Sequence, residues 1–134
     1  MVQGGVDKVI YKELSYKIVG ILYDVYNELG YGYQEKVYEK AIAKSLVENK
    51  IVFLRQAPYQ IVFREEIIGR NYIDFVVENK IVLEIKRGDY FSQKNVGQIK
   101  RYLAVTGLQL AILAHFTSSG VKIFRAFNPS NITN

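Results

Sequence analysis

The chain contains no cysteine. Disulfides, thiol catalysis and thiolate metal sites are therefore excluded, and any chemistry must be carried by oxygen and nitrogen groups. Histidine occurs once, as His115 in an apolar stretch, and reads as a core residue rather than a ligand. A glycine-rich phosphate loop is also missing, so thiol or triad hydrolases and P-loop ATPases find no support. No apolar run approaches the ~20 residues of a membrane-spanning helix. The N-terminal stretch "MVQGGVDKVIYKEL" lacks the apolar centre of a signal peptide. A cytoplasmic protein with no membrane contact is the expectation, and "NIT" at 131–133 is not read as a glycosylation site.

What is present is the composition of a folded protein: 134 residues, 49% hydrophobic and 23% charged. That is enough chain for one domain with its own core, read as residues 1–134 with the ordered part at about 15–127. Formal net charge is +5 and the sequence pI is about 9.3. A basic balance is compatible with nucleic acid as a partner, although many small proteins share it.

Apolar spacing organises the chain. Ile18, Ile21, Leu22, Val25, Tyr26 and Leu29 recur at helical intervals over 15–29, and Gly30 and Gly32 supply the stop. A second helix is predicted over about 34–49, with Val37, Tyr38, Ala41, Ile42, Ser45 and Leu46 facing inward. Four short strands follow, "IVFLRQ", "YQIVFRE", "NYIDFVV" and "KIVLEIK", separated by "AP", "EEIIG" and "ENK". A third helix over about 92–106 ends at Gly107, and "LQLAILAHF" and "VKIFRAF" close the chain as a strand pair around Ser-Ser-Gly. Residues 1–10 and the polar tail "NPSNITN" read as loosely ordered. The expected class is α/β with a mixed sheet flanked by helices, in the order ααββββαββ.

The segment "YIDFVVENKIVLEIKRG" (72–88) carries two acids and a lysine inside strands that should build the core. Ile73, Phe75 and Val77 share one face of the first strand, and Ile81, Leu83 and Ile85 one face of the next. Sending both trios to one core sets Val77 opposite Ile81, Phe75 opposite Leu83 and Ile73 opposite Ile85, around a three-residue turn, Glu78-Asn79-Lys80. The same register brings Asp74 opposite Glu84, with Lys86 next along. Two carboxylates at about 5 Å repel by on the order of 3 kcal/mol at an effective dielectric near 20. Lys86 relieves part of that, and a divalent cation would relieve more. Carboxylate and carbonyl oxygens are hard ligands suited to Mg²⁺ or Mn²⁺. The competing reading is a solvent-facing edge hairpin with a lysine-bridged acid pair, against which Val76 and Val82 share the acids' face.

Other residues read two ways. Glu35 sits on the apolar side of the second helix, where an acid near a helix N-terminus also favours the dipole. Gln98 and Tyr102 share a face of the third helix. Lys94, Lys100 and Arg101 lie on the same helix, placed either to meet phosphates or to be solvated.

Together these residues resemble the PD-(D/E)XK nuclease superfamily: Asp74, then Glu84-Ile85-Lys86 on the adjoining strand, after a helix bearing Glu35. Gln98 to Tyr102 is similar to the Q-x-x-x-Y extension of RecB-like exonucleases. The stretches "GYQEKVYEKAI", "RNYIDFVVENKIVLEIK" and "GQIKRYLAVTGLQLAIL" resemble the small prokaryotic GxxExxR proteins of that superfamily. Two departures stand out: no proline precedes Asp74, and Asn95 stands where a histidine often precedes the helix glutamine. The resemblance implies a restriction-endonuclease-like core and hydrolysis of phosphodiester bonds, with DNA expected over RNA. It implies Mg²⁺ or Mn²⁺ held by Asp74, Glu84 and the Ile85 carbonyl, and Glu35 completing the shell through water. Lys86 would act on the attacking water or the developing charge, with Gln98 and Tyr102 as positioning groups and Lys94, Lys100 and Arg101 binding nucleic acid. A homodimer is compatible with it. The rival readings are a non-catalytic nucleic-acid-binding or regulatory module that keeps the fold, and an interaction protein whose basic surface meets an acidic partner.

Overall fold

The structure, a computed structural model, describes residues 11–128. The expectations for residues 1–10 and for the tail past Asn128 lie outside the described residues. Among the described residues two helices come first, α1 (Lys12–Leu29) and α2 (Glu35–Glu48), followed by β1 (Phe53–Phe63), β2 (Glu66–Val77) and β3 (Ile81–Arg87). Helix α3 (Gln93–Thr106) then crosses over to β4 (Leu110–Thr117), and β5 (Gly120–Phe127) completes a five-stranded sheet ordered β1-β2-β3-β4-β5. All neighbours are antiparallel except β3 and β4, which are parallel and joined through α3. The expected mixed sheet flanked by helices is what forms.

Each helix buries most of the stripe its spacing announces, but Leu29 at the end of α1 and Val37 in the first turn of α2 are exposed (36% and 39%) rather than facing inward. Ser15, Ile18, Ile21, Leu22 and Val25 of α1 and Tyr38, Ile42 and Leu46 of α2 are buried. They pack on Phe75, Val77, Ile81, Leu83, Ile85, Ile112, Ala114 and Phe116, one face of the sheet. On the other face, Ile99, Tyr102 and Leu103 of α3 cover Val76, Val82, Ala111 and Leu113. Strand β4 is buried along its whole length, as a central strand covered on both faces must be. Helix α3 starts at Ser92, whose side chain accepts from the Lys94 N–H at 3.2 Å, and ends at Gly107 with φ 74°, a left-handed cap that glycine adopts without strain.

Two expectations about the strands are corrected. The spacing predicts four strands before α3; among the described residues there are three, so the order there is ααβββαββ. β1 runs straight through Ala57-Pro58, because β1 is an edge strand and a proline there removes no ladder bond that the sheet needs. β2 likewise absorbs "EIIG" (66–69), and the chain reverses instead at Arg64-Glu65, both at positive φ (49° and 70°). The second correction concerns facing. Val77 pairs with Ile81 and Phe75 with Leu83 as expected, around a turn at 78–80 with Glu78 and Asn79 at positive φ. The ladder then stops: Ile73 does not sit across from Ile85 in it. Ile73 packs on the α3 side, while Phe75, two residues on, packs on the α1/α2 side.

The same reversal occurs across the way in β1. Phe53 meets Phe75 edge-on at 5.7 Å on the α1/α2 side, but Ala57 and Tyr59 belong to the α3 side. Between them lies Gln56, at φ 53°. One left-handed residue rotates the following side chains to the other face, so the β1–β2 ribbon changes sides at the level of Gln56 and Asp74.

Candidate active site

The change of sides is where the charged residues gather. Beyond Phe75 and Leu83, β2 and β3 no longer exchange backbone hydrogen bonds, and two carboxylates replace the ladder. The Asp74 N–H donates to Glu84 Oε2 at 2.7 Å, and the Ile85 N–H donates to Asp74 Oδ2 at 2.9 Å. Each acid thus binds the backbone of the opposite strand. The predicted proximity of Asp74 and Glu84 holds, and the way it is achieved is a splayed pair of strands rather than a continued register.

Burial makes the pair electrostatically tense. Glu84 is 3% exposed, and desolvation, then the Asp74 charge, push its pKa up to about 8. Asp74 is raised as well, first by desolvation and further by the charge of Glu39, against the Ile85 N–H and Lys86, which lower it. Lys86 is half-buried and lowers both acids, so its ammonium lies near the pair without forming a direct ion pair among the described residues. Tyr102 joins from α3. It is 2% exposed, its hydroxyl donates to the Tyr72 carbonyl at 3.4 Å, and its ring meets Tyr59 edge-on at 5.3 Å. Burial, then the charge of Glu84, raise its pKa further above the ordinary phenol value, so the ring stays a neutral hydrogen-bonding group.

The remaining predicted residues sit further out. Gln98 is half-buried one helical turn before Tyr102 and makes no side-chain hydrogen bond among the described residues. Glu35, the first residue of α2, reaches β3 past the acids: its Oε2 accepts from the Arg87 N–H at 3.3 Å. Lys94, Lys100 and Arg101 are exposed along α3. His115, paired with Lys86 across the β3–β4 ladder, is 2% exposed, as a core histidine should be.

Sequence reasoning missed Glu39. It is buried at 8% exposure, one turn after Glu35, and is held by Arg55 Nε at 2.8 Å and by Gln56 Nε2 at 3.1 and 3.2 Å to its two oxygens. Gln56 Nε2 also donates to Asp74 Oδ1 at 3.3 Å, linking the two acids. The signal was available: Glu39 precedes Ile42 by three and Leu46 by seven, on the inward stripe. Gln56 had no such signal, because nothing in "FLRQAPY" announces a left-handed residue inside a strand.

Whether a divalent cation suits these residues turns on the donors. Asp74 and Glu84 offer hard oxygens, and the raised pKa of Glu84 means that burial and the Asp74 charge outweigh the nearby Lys86, a deficit of positive charge that a cation would make up. Among the described residues no group of three histidine or acidic side chains converges into a full coordination cage. Two carboxylates with water and phosphate oxygens filling the rest is the set Mg²⁺ commonly accepts. The residues fit.

A sequence profile of the PD-(D/E)XK nuclease superfamily matches residues 12–126. The chain belongs to that superfamily. Among solved structures, the crystal structure of SSO0001 superposes with a TM-score of 0.58 at 17% sequence identity, over 73% of this chain and 54% of that one. That likeness concerns the fold, and this chain spans about half the length of the solved relative. A search of proteins of curated function finds no match. Members of the superfamily are typically nucleases that use divalent metals, which makes the splayed strands the natural place to look for the chemistry.

Proposed function

We propose that the protein is a Mg²⁺- or Mn²⁺-dependent nuclease that hydrolyses phosphodiester bonds, with DNA as the preferred polymer. The observation carrying this reading is the replacement of the β2–β3 ladder by Asp74 and Glu84 beside Lys86. A fold gives up backbone pairing and buries two acids at a cost, and a structural role for them would be served better by apolar residues. In this reading Asp74, Glu84 and the Ile85 carbonyl hold the cation. When bound, the cation polarises the phosphate and lowers the pKa of water.

The rest belongs to the chain's own side chains. Glu84 would release to solvent, as the cation binds, the proton that burial keeps on it, and Asp74 stays fixed by the Ile85 N–H. The Lys86 ammonium faces the phosphate, where it orients the attacking water or stabilises the developing negative charge. Tyr102 keeps the β2 arm in place through Tyr72, and Gln98, one turn away, lines the approach. Glu35, at Arg87 on the rim, is left a water-mediated part. Lys94, Lys100 and Arg101 supply the charge that a polyanion meets on α3. The likeness of "GYQEKVYEKAI" to GxxExxR proteins and of Gln98–Tyr102 to the RecB-like extension supports the same assignment of roles.

The test is cleavage of a panel of single- and double-stranded DNA and RNA with Mg²⁺, Mn²⁺ or chelator, for wild type and Asp74→Asn. Metal-dependent cutting that disappears in Asp74→Asn is the expected result. Binding without cutting under every condition would favour a non-catalytic module that keeps the fold.

A further inference from the structure

Seven non-glycine residues among those described have positive φ, and six of them stand in turns or at helix ends. Gln56 alone lies inside a strand. Glutamine gains nothing locally from the left-handed region, where Cβ crowds the backbone, and asparagine or glycine would sit there with less strain. Strain of this kind persists where the surroundings hold the residue for another purpose.

The side chain shows what that purpose is. From this one backbone position the Gln56 amide reaches Glu39 on α2 (3.1 and 3.2 Å) and Asp74 Oδ1 on β2 (3.3 Å). Glu39 is in turn tied to Arg55, the preceding residue. A regular strand residue would point to one face of the sheet; the left-handed turn at Gln56 is the level at which the ribbon changes faces, and it aims the amide between the two. Asp74 then has one oxygen on the Ile85 N–H and the other on Gln56, so its carboxylate plane is fixed from both sides. Glu39, whose charge acts on Asp74, is kept from swinging toward it.

We infer that Gln56 is a positioning residue: it clamps the Asp74 and Glu39 carboxylates into the arrangement that receives a divalent cation, and its strained backbone is retained for that clamp. The inference rests on the reading of Asp74 as a cation ligand. It predicts that backbone comfort and cation affinity can be pulled apart at one position. Gln56→Gly removes the amide while relaxing the left-handed backbone, and Gln56→Asn relaxes it while falling one methylene short of the two acids.

The experiment measures the melting temperature of the metal-free chain and calorimetric Mn²⁺ binding, without nucleic acid, for wild type, Gln56→Gly and Gln56→Asn. Relief of backbone strain and loss of the amide's bonds to the two acids oppose each other, so both variants should melt close to wild type. Both should bind Mn²⁺ at least about tenfold more weakly, the usual loss when a partner that orients a metal ligand is removed. Unchanged Mn²⁺ affinity in the two variants, with wild type binding normally, overturns the clamp and leaves the nuclease reading standing. A clear fall in melting temperature in both also overturns it, since Gln56 would then be serving the fold. Wild type that binds no Mn²⁺ overturns the clamp and the cation site together.

Discussion

The two ends of the β2–β3 hairpin are built from the same strands by opposite rules. At the closed end Val77, Ile81, Phe75 and Leu83 are fully buried, their backbones are paired, and their side chains join the large core under α1 and α2. At the open end, one residue further along each strand, the pairing is gone and carboxylates bond to the opposite backbone. The closed end spends its geometry on stability. The open end gives up ladder bonds and takes on desolvated charge, and in exchange brings two acids and a lysine together where the strands splay. If that division is right, neighbouring residues should fail in different ways.

The largest contrast is between Asp74 and Phe75. Asp74→Asn should lower single-turnover cleavage by about 10³-fold or more, because the loss of a metal-mediated charge interaction is worth several kcal/mol. Its metal-free stability should hold or rise, since a repulsion is removed. Phe75→Ala should instead cost about 3–5 kcal/mol of stability through the cavity it opens. Urea unfolding and single-turnover rates of both variants make the comparison. Asp74→Asn that unfolds as readily as Phe75→Ala would erase the distinction between the two ends.

Lys86→Met sharpens the picture within the open end. The lysine is assigned to the developing charge rather than to the cation, so Mn²⁺ binding should survive while the rate falls by about 10²–10³-fold. Joint loss of binding and rate would move Lys86 into the same role as the acids.

A smaller effect separates the two ends by pH. Folded Glu84 keeps its proton up to about 8, whereas an unfolded glutamic acid releases it near 4.5. Between those values the folded state binds more protons, so stability of the metal-free protein should fall as pH rises and level off above about 8. Asp74, also raised, acts in the same direction. Glu84→Gln should flatten the slope, and Mg²⁺ should restore stability mostly at the alkaline end, where the carboxylate is free to bind it. Melting temperatures from pH 5 to 9 give the answer, and a rise with pH would contradict it.

How much of this was legible follows from the same two ends. Alternation of apolar residues specified Val77–Ile81 and Phe75–Leu83, and the helix stripes specified which faces are covered, because burial enforces both patterns. Parity carried one step too far at Ile73: it assumes an unbroken strand, and the left-handed Gln56 with the unpaired Asp74 breaks it. Asp74 and Glu84 were still found together because either register or splay brings them there. Glu35 and Glu39 lie on one helix face, so spacing marks both as inward, and the packing shows that Glu39 is the one buried against β1. Pro58 was read as a strand boundary, which holds for a central strand and not for an edge one.

The smallest expected effect tests the surface beside the open end. Lys94, Lys100 and Arg101 project from α3, the helix whose Tyr102 lines the site, while the closed end of the hairpin offers Lys80, engaged over the Tyr11 ring at 5.7 Å. If the α3 charges meet phosphates, nucleic-acid affinity should fall steeply with salt, and removing any one of them should flatten the log–log slope by roughly one unit. Lys80→Ala, at the far end, should leave the slope as it is. Fluorescence anisotropy with a labelled oligonucleotide in chelator, over a salt series, reads binding without cleavage. Equal slopes for wild type and all four variants would make these charges a solvated face, and the polyanion would then have to approach along the β1–β2 ribbon, past Arg70 and Tyr72.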